Sequence, residues 1–346
     1  MSKWLHRSHP FLRFLISRLV AGVVLALGMT VIVFALINLV PSDPVVAQLG
    51  IRESQNPAIV KAFKERFGLD KPVPVQYLLF LDRLARGDLG KSEQTGRPVL
   101  TDLADYVPAT VELAISSTAL AIVFGVTLGT LAATHHNKPI DHLLRVVSLS
   151  GTSVASFWLG LLALYVFFYK LGWFPNGGRL DPGANPPPQV TGLYTVDSLF
   201  VGDFGTLLSA IQHLVLPAAV LAAPFIGQLI RFSRTAVLEV AREEYITVAR
   251  AKGLSPISVL RHVLRAAFPP IATVIGFLFA DVLTGTILIE TIFSWPGVGR
   301  YAFHAATTLD LPAMTGVTLF VTSVFLVVNL VVDTLYGVID PRLRIA

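Results

Sequence analysis

Six long runs of apolar residues constrain this chain more than any other feature of its sequence. A helix that crosses a bilayer needs about 20 mostly apolar residues, because each residue adds about 1.5 Å against a hydrocarbon core about 30 Å thick. The runs that meet this requirement are residues 19–40, 111–133, 146–168, 214–230, 271–289 and 314–332. They predict an all-α polytopic membrane protein with about six transmembrane helices.

The composition supports a membrane protein and excludes several other classes. Hydrophobic residues make up 53% of the chain and charged residues only 14%, whereas soluble domains carry about 25% charged residues. The net charge of +5 does not indicate a nucleic-acid partner, because the basic residues lie between the apolar runs, where a membrane orientation signal lies. The absence of cysteine excludes disulfides, thiolate metal sites and cysteine nucleophiles.

The first apolar run follows a basic N-terminal stretch, as the apolar region of a signal peptide also does. The run covers residues 19–40, whereas a signal peptide has an apolar region of roughly 7–15 residues and then a small-residue cleavage site. This run ends instead at Pro41-Ser42-Asp43-Pro44. We therefore expect a retained first span.

The distribution of lysine and arginine predicts that both termini lie in the cytoplasm. Basic residues concentrate at the two termini and between the fourth and fifth runs, whereas the short external loops hold only Lys170, Arg179 and Arg300. The loop 41–106 holds nine basic residues, but nine acidic residues balance them, and loops longer than about 60 residues cross the membrane largely regardless of charge. This orientation places 41–106 and the turn-rich stretch 177–188 outside and the segment 231–268 in the cytoplasm.

The segment 231–268, called here the candidate segment, has the pattern of two helices joined at a glycine corner. The first helix is predicted to run through Val237 and Ala249 to Gly253, which suits the left-handed conformation just past a helix end. Ser255 is a predicted N-cap and Pro256 a first helical residue, where the missing N–H has no cost.

The second helix of the candidate segment is predicted to present one apolar face and to end at Pro269-Pro270. The face consists of Ile257, Leu260, Leu264 and Phe268. Such an amphipathic pair of helices suits docking into a groove of a soluble partner. It equally suits a basic loop lying on anionic lipid, and the residue pattern alone does not decide between these readings.

The stretch from Glu244 to Ser255 resembles the EAA loop of ABC-importer permeases, in the form found in the dipeptide/oligopeptide/nickel permease family. The family signature, Glu-Ala-Ala followed by three residues and Gly, falls on Thr247, Val248, Ala249 and Gly253, so its first two positions depart. The resemblance implies a loop of coupling helices that docks on an ATP-binding subunit. The residues to which it assigns this role are Glu244, Tyr245, Thr247, Val248, Ala249, Arg250, Lys252 and Gly253.

Further motifs extend the resemblance along almost the whole chain. They are Pro41-Ser42-Asp43-Pro44, Gly68-Leu69-Asp70-Lys71-Pro72, Gly87-Asp88-Leu89-Gly90, the stretch from Glu290 to Gly299, and Asn329-Leu330-Val331-Val332-Asp333 with Asp340-Pro341-Arg342. The resemblance implies one transmembrane permease domain over residues 1–346, with the type I ABC importer permease (MetI-like) fold.

The family also implies a function and a set of partners. The chain is expected to be a permease subunit of an ATP-driven importer that moves a small solute, such as a di- or oligopeptide, across the bacterial inner membrane. The expected partners are a second homologous permease, two cytoplasmic ABC ATPase subunits, an external substrate-binding protein and the lipid bilayer. ATP and Mg²⁺ would be held by the ATPase subunits, so this chain is not expected to be an enzyme or to hold a cofactor.

Gly90-Lys91-Ser92 resembles the end of a phosphate-binding P-loop. The full motif requires a glycine five positions before that glycine, and Ala85 stands there. The residues also lie in the predicted external loop, and no strand pattern precedes them. We therefore expect no phosphate site here.

Asp281 lies in the middle of the run 271–289, where an unpaired charge costs at least about 2.5–3.5 kcal/mol. We expect a buried side chain that faces a translocation path, or one that pairs with a neighbouring helix or subunit. The rival hypothesis for the whole chain starts from this residue: an autonomous secondary transporter or channel with Asp281 as its titrating group.

Two further groups of residues allow a functional and a structural interpretation. His135, His136 and His142 could suggest a metal site, but basic residues flank them without a carboxylate cluster, so a solvated loop is expected. Trp295-Pro296-Gly297 is either part of an external gate or an interfacial aromatic residue with a turn, and the sequence does not separate these alternatives.

Overall fold

The computed structural model describes residues 10–39, 56–58, 60–61 and 71–339, and these residues are mostly helical. The helices are α1 (Pro10–Leu39), α2 (Val73–Ala85), α3 (Val99–Thr134), α4 (Pro139–Ser153), α5 (Ser156–Ala163), α6 (Tyr194–Val201), α7 (Phe204–Ala241), α8 (Glu244–Ala251), α9 (Pro256–Thr284), α10 (Thr286–Ile292), α11 (Val298–Thr308) and α12 (Leu311–Ile339). A π-helix, Leu164–Lys170, continues α5, and the whole of Ser156–Lys170 is called here the α5 helix. Within the described residues β-pairing is limited to one isolated bridge, between Lys91 and Pro98. The predicted all-α fold is confirmed.

The number of candidate spans agrees with the sequence. Five described helices, α1, α3, α7, α9 and α12, contain stretches long and apolar enough to cross a membrane. The bent pair formed by α4 and the α5 helix adds a sixth if it is one broken span. Helices α3, α7 and α12 extend at both ends beyond the apolar runs that predicted them.

The third predicted span is not one straight helix. Its residues, 146–168, are divided between α4 and the α5 helix, and the two axes differ by 101°. At the break, Val154 and Ala155 adopt extended backbone angles, with ψ of 130° and 132°. Ser150, Thr152 and Ser153 precede it. Hydroxyl side chains of this kind compete for backbone hydrogen bonds and weaken a helix.

Two expectations about helix ends in the candidate segment are wrong. Pro269-Pro270 does not end the second helix, because α9 continues through both prolines to Thr284. The carbonyls that these prolines leave without a donor belong to Arg265 and Ala266, whose side chains are exposed, so water or lipid head groups can solvate them.

The first helix of the candidate segment is also shorter than predicted. α7 ends at Ala241 and α8 begins at Glu244, with Glu243 extended between them (ψ 145°). The N–H groups of Arg242 and Glu243 bond to carbonyls three residues back, those of Glu239 and Val240. This tightening of the last turn is typical of a helix end.

Some predicted motifs lie outside the described residues. They are Pro41-Ser42-Asp43-Pro44, Gly68-Leu69-Asp70 and Asp340-Pro341-Arg342. The described part of 41–106 contains α2 and the first turns of α3. The second span therefore belongs to a helix that begins at Val99, well before the apolar run that predicted it.

One compact unit consists of Pro108–Arg300 with the described residues from Val331 onward. Its interior is organised around α7, which contacts α4, the α5 helix, α6, α9 and α10. Leu221, Leu229 and Ile230 of α7 are almost completely buried. Burial of a full Leu or Ile side chain stabilises a fold by about 1.5–3 kcal/mol in water, although within lipid close van der Waals packing supplies more of this stabilisation.

Small residues allow α4 and α7 to pack with their backbones in contact. A Cβ atom added to Gly227 of α7 would lie 2.5 Å from the carbonyl oxygen of Ser148, and one added to Gly151 would lie 3.0 Å from that of Ala223. The Ser148 hydroxyl donates to the Gly227 carbonyl oxygen at 2.6 Å. Small residues that admit such close approach are characteristic of helix packing in membranes.

The other compact unit consists of the described residues up to Val107 with Tyr301–Leu330. Here the hydroxyls of Thr30 in α1 and Tyr77 in α2 are 2.9 Å apart. The hydroxyl of Ser92, from the P-loop-like Gly90-Lys91-Ser92, donates to Asp310 at 2.5 Å and is buried. Asp310 also accepts from the N–H of Ala313 at the start of α12. These contacts give Ser92 a structural role in closing a turn.

We predict that Gly227→Ala destabilises the chain because the new methyl group meets the backbone of α4. Overpacking of this kind costs about 1–3 kcal/mol. Thermal unfolding of the purified chain in detergent, followed by circular dichroism, measures the effect. Gly205→Ala is the matched control: it lies on the same helix, where the added Cβ makes only an ordinary contact at 3.5 Å. Equal melting temperatures of the two variants would contradict the prediction.

Candidate functional site

The candidate segment is anchored through the buried side of α8. Ile246 is completely buried, in a cluster with Val237 of α7 and with Val259 and Val263 of α9. The cluster lies between α8, the end of α7 and the start of α9. A displacement of α8 therefore acts directly on two long helices.

The opposite side of α8 is exposed. Tyr245 and Val248 expose 49% and 52% of their surface, and they are three residues apart, so they lie on neighbouring positions of one helix face. Of the residues that the family resemblance assigns to coupling, Glu244, Tyr245, Thr247, Val248, Arg250, Lys252 and Gly253 are exposed and Ala249 is partly buried. The structure thus brings the predicted residues together on a short, firmly supported projection.

The corner after α8 has the geometry predicted from the sequence. Gly253 has a φ of +78°, in the left-handed region, which glycine adopts without steric cost. The Ser255 hydroxyl accepts from the N–H of Ser258, and Pro256 is the first residue of α9. The turn, the N-cap and the helix start are all confirmed.

The apolar face predicted for the start of α9 is not the most buried face, although Leu264 packs against the edge of the buried cluster. Val259, Val263 and Ala267 are buried at spacings of four residues, whereas Ile257 and Phe268 expose 72% and 59% of their surface. The exposed apolar positions alternate with arginines along an open groove lined by Ile257, Leu260, Arg261, Leu264, Arg265 and Phe268. The smaller side chains face inward because they admit closer contact between helices.

An ion pair missed by the sequence analysis lies where the loop after α3 meets α7. Asp141, at the start of α4, is completely buried and accepts from Nε of Arg234 at 2.6 Å and from Nη2 at 2.9 Å. His136, one of the three histidines considered for a metal site, lies 3.7 Å from the same carboxylate. No group of three metal-ligating side chains occurs in the described part of the chain.

Asp281 does not lie at the middle of a helix. α9 ends at Thr284, and the carbonyl oxygen of Asp281 accepts from the N–H of Gly285 at 2.9 Å as part of the helix end. The side chain is exposed on the surface of the single chain, so the expected burial within this chain is wrong. A role in the translocation path remains a prediction.

The stretch from Glu290 to Gly299 folds around a buried carboxyl group. Glu290 is completely buried, and it accepts from the Thr110 hydroxyl at 2.7 Å and from the N–H of Arg300 at 3.0 Å. A Cβ atom at Gly297 would lie within 2.5 Å of the Glu290 carboxyl oxygens, and one at Gly299 would lie 2.6 Å from the Ile287 backbone. The glycines of this motif are therefore required for the loop to close on the acid.

Trp295 belongs to the interior and not to an interfacial belt. Only 1% of its surface is exposed, and its Nε1–H donates to the carbonyl oxygen of Ala109 in α3 at 2.8 Å. The N–H of Val298 donates to the hydroxyl of Thr110, the residue after Ala109, also at 2.8 Å. The 290–299 motif thus fixes the loop after α10 against α3, and the interfacial alternative is wrong.

A second buried ion pair holds the connection between the π-helix and α6. Arg179 lies 2.5 Å from the Glu112 carboxylate and donates to the Gly192 carbonyl oxygen at 2.8 Å. Its guanidinium carbon lies 3.5 Å from the centre of the Tyr194 ring, within the range of cation–π attraction. Sequence reasoning placed Arg179 in an external loop and did not identify Glu112, which lies 67 positions earlier, as its partner.

Asp197 of α6 binds the end of the same connection through backbone hydrogen bonds. Burial alone would raise the pKa of Asp197, but its hydrogen bonds from the Thr191 hydroxyl and from the N–H groups of Thr191, Gly192 and Val190 outweigh burial and lower that pKa. A carboxylate that accepts several backbone N–H bonds is stabilised in its charged form. The predicted turn-rich connection is therefore held by specific polar contacts.

We predict that Glu290→Gln changes how stability depends on pH. Burial raises the pKa of Glu290, more than its hydrogen bonds with Thr110 and Arg300 lower it. A raised folded-state pKa means that the stabilisation is complete below the unfolded-state value of about 4.5 and is lost as pH rises through the folded-state pKa. The melting temperature of the wild type should therefore fall relative to that of the variant as pH rises from 4.5 to 8.

Melting temperatures of both proteins in detergent across this range measure that difference. Glu239→Gln removes a carboxylate at an exposed position of α7 and serves as the control. A Glu290→Gln difference that does not change with pH would contradict the prediction.

Comparison with known proteins covers both halves of the chain. Residues 125–345 match the family described as binding-protein-dependent transport system inner membrane component, and residues 11–114 match the N-terminal region of the same type of component. The chain is 43% identical over 324 residues to the probable D,D-dipeptide transport system permease protein DdpB of Escherichia coli (strain K12), which covers 93% of this chain and 95% of that protein.

Two further relatives extend the similarity to other bacteria. The di/tripeptide transport system permease protein DppB of Pseudomonas aeruginosa is 41% identical over 318 residues, covering 92% of this chain and 94% of that protein. The dipeptide transport system permease protein DppB of Alkalihalophilus pseudofirmus is 38% identical over 334 residues, covering 96% and 99%. With its helical architecture and its candidate spans, the chain belongs to the family of binding-protein-dependent transport system inner membrane components.

Proposed function

We propose that this inner membrane component is a permease whose candidate segment, 231–268, receives the conformational change of a separate ATP-binding subunit. The observation that supports the proposal is the two-sided environment of α8. Ile246 is completely buried against α7 and α9, whereas Tyr245 and Val248 on the other side are about half exposed. A short helix with this arrangement can enter a partner's groove and move the long helices to which it is fixed.

The proposed orientation places this projection in the cytoplasm, where ATP is available. Lysine and arginine concentrate in the candidate segment and near both termini, as the positive-inside rule requires of cytoplasmic segments. Both termini are then cytoplasmic. The 171–193 connection, with its buried Arg179, and the 41–106 segment lie on the outer side.

The proposed assembly contains this chain, a second homologous permease, two ATP-binding subunits and an external substrate-binding protein. ATP and Mg²⁺ belong to the ATP-binding subunits. Ser92 of the P-loop-like turn already donates its hydroxyl to Asp310, which supports a structural role for that turn. Nucleotide binding and hydrolysis then switch the permease between inward-open and outward-open states, because the ATP-binding subunits favour the two states differently.

Di- or tripeptides are the proposed cargo. The support is the peptide transport for which the relatives are named; these relatives cover at least 92% of this chain at 38–43% identity. The substrate-binding protein would make the first selection among solutes, and this chain would provide one side of the path.

Reconstitution tests the proposal against the rival secondary transporter. The complete importer in vesicles, with its binding protein and ATP, should accumulate a radiolabelled dipeptide, and omission of the ATP-binding subunits should abolish uptake. Accumulation by this chain alone, driven by an ion gradient, would refute the proposal and favour a transporter that depends on Asp281.

We predict that Val248→Asp prevents docking of the ATP-binding subunit without unfolding the chain. The new charge lies on the exposed face of α8, where it is solvated in the free chain but would be desolvated in a partner's groove, at a cost of several kcal/mol. Co-purification of the ATP-binding subunit and dipeptide uptake should both fall at least tenfold, the effect of about 1.4 kcal/mol.

Val190→Asp is the matched control, because Val190 exposes 70% of its surface on the 171–193 connection, away from the candidate segment. The melting temperature of Val248→Asp should stay within about 2–4 °C of the wild type, the shift expected for about 1 kcal/mol. Normal co-purification and uptake with Val248→Asp would contradict the docking role of α8.

A further inference from the structure

The Asp141–Arg234 pair joins α4 to α7 by a buried, two-point contact. Both nitrogen atoms of the guanidinium that face Asp141 donate to it, one to each carboxylate oxygen, at 2.6 Å and 2.9 Å. Asp141 is completely buried and the Arg234 side chain is 17% exposed. A bidentate contact of this kind fixes orientation as well as distance.

Other polar groups around the Asp141 carboxylate help to hold it in place. The N–H of Asn137 donates to the same carboxylate at 2.9 Å. Arg145, one turn further along α4, lies 3.8 Å from it, and His136 lies 3.7 Å away. Asp141 thus accepts hydrogen bonds from the loop before α4 and from α7, and the side chains of His136 and Arg145 lie close to it.

Backbone packing holds the rest of α4 against α7. Gly227 approaches the Ser148 carbonyl so closely that no side chain fits, and the Ser148 hydroxyl donates to the Gly227 carbonyl oxygen. Gly151 approaches Ala223 in the same way. With the ion pair at one end and these contacts further along, α4 has little freedom to slide on α7.

The position of Arg234 relates this joint to the candidate segment. α7 continues from Arg234 to Ala241, and α8 begins at Glu244. At its other end α4 stops at the 101° break before the α5 helix. A displacement that enters at α8 therefore reaches α4 through α7, and α4 can respond as a rigid body because its connection to α5 is already bent.

We propose that Asp141 and Arg234 are positioning residues for coupling: their ion pair makes α4 move together with α8 and the end of α7 when ATP is hydrolysed. The inference rests on the proposed function of the candidate segment and adds the element to which the motion is passed. Without the pair, the end of α7 that leads to α8 can move while the start of α4 stays behind, so ATP is hydrolysed without equivalent transport.

The test measures the ratio of dipeptide taken up to ATP hydrolysed by the complete importer in vesicles. Arg234→Gln should lower this ratio at least about fivefold, the lower end of typical coupling between sites, while ATP hydrolysis continues. Arg234→Lys keeps the charge but loses the bidentate contact, and it should give an intermediate ratio. Arg86→Gln makes the same change at an exposed position just after α2, outside the candidate segment, and should leave the ratio at the wild-type value.

The ratio separates coupling from stability. A purely structural role would reduce the amount of active importer and would lower uptake and ATP hydrolysis in proportion. An unchanged ratio in Arg234→Gln would therefore overturn the inference and leave the proposed function intact. If the wild-type importer itself showed no ATP-dependent uptake, the proposed function would fail.

A distance measurement tests the same inference in variants that keep little activity. The chain contains no cysteine, so Leu143→Cys on α4 and Thr235→Cys on α7, both exposed, accept a fluorophore pair selectively. With Arg234 present, the distance between the labels should be the same in nucleotide-free and ATP-trapped importer. With Arg234→Gln it should differ between the two states. A nucleotide-dependent distance with Arg234 present would also overturn the inference.

Discussion

The burial of α7 is the constraint on which the unit containing the candidate segment depends. This helix contacts α4, the α5 helix, α6, α9 and α10, and most of its apolar span lies inside the unit. A buried helix must satisfy its polar groups within the protein and admit its neighbours closely. The ion pair of Arg234 with Asp141 satisfies polar groups within the protein, and Gly227 allows the neighbouring helix α4 to approach closely. Helix α7 also leads to α8, so the projection is supported by the best-packed element of the unit.

Polar residues within this unit form small, closed clusters. Glu290 accepts from Thr110 and the backbone, Arg179 pairs with Glu112, and Asp141 pairs with Arg234. Each cluster joins segments that are distant in the sequence, and removing one member of a buried pair would leave the other without compensation. Buried polar pairs in such a protein therefore fix the relative position of segments. Packing of apolar faces alone would define that position less specifically.

Sequence reasoning succeeded where a local rule decides the outcome. Gly253, Ser255 and Pro256 form the predicted corner because left-handed backbone, an N-cap and a first helical residue each depend on neighbouring residues only. It failed at Pro269-Pro270 and left the environment of Trp295 undecided. Prolines stop a helix only where the freed carbonyls lack other partners, and the burial of a tryptophan depends on what the rest of the chain places beside it.

The sequence by itself determined the helical class, the approximate number of spans and the family, because apolar length and local motif order are properties of the linear chain. Only the tertiary structure decided that the run 146–168 is bent, which face of α9 packs, and which partners Asp141, Arg179 and Glu290 have. The physical reason is that a hydrogen bond or a close backbone approach between distant segments depends on distances that no sequence pattern contains. The composition shows that charges are present, and folding decides which of them meet.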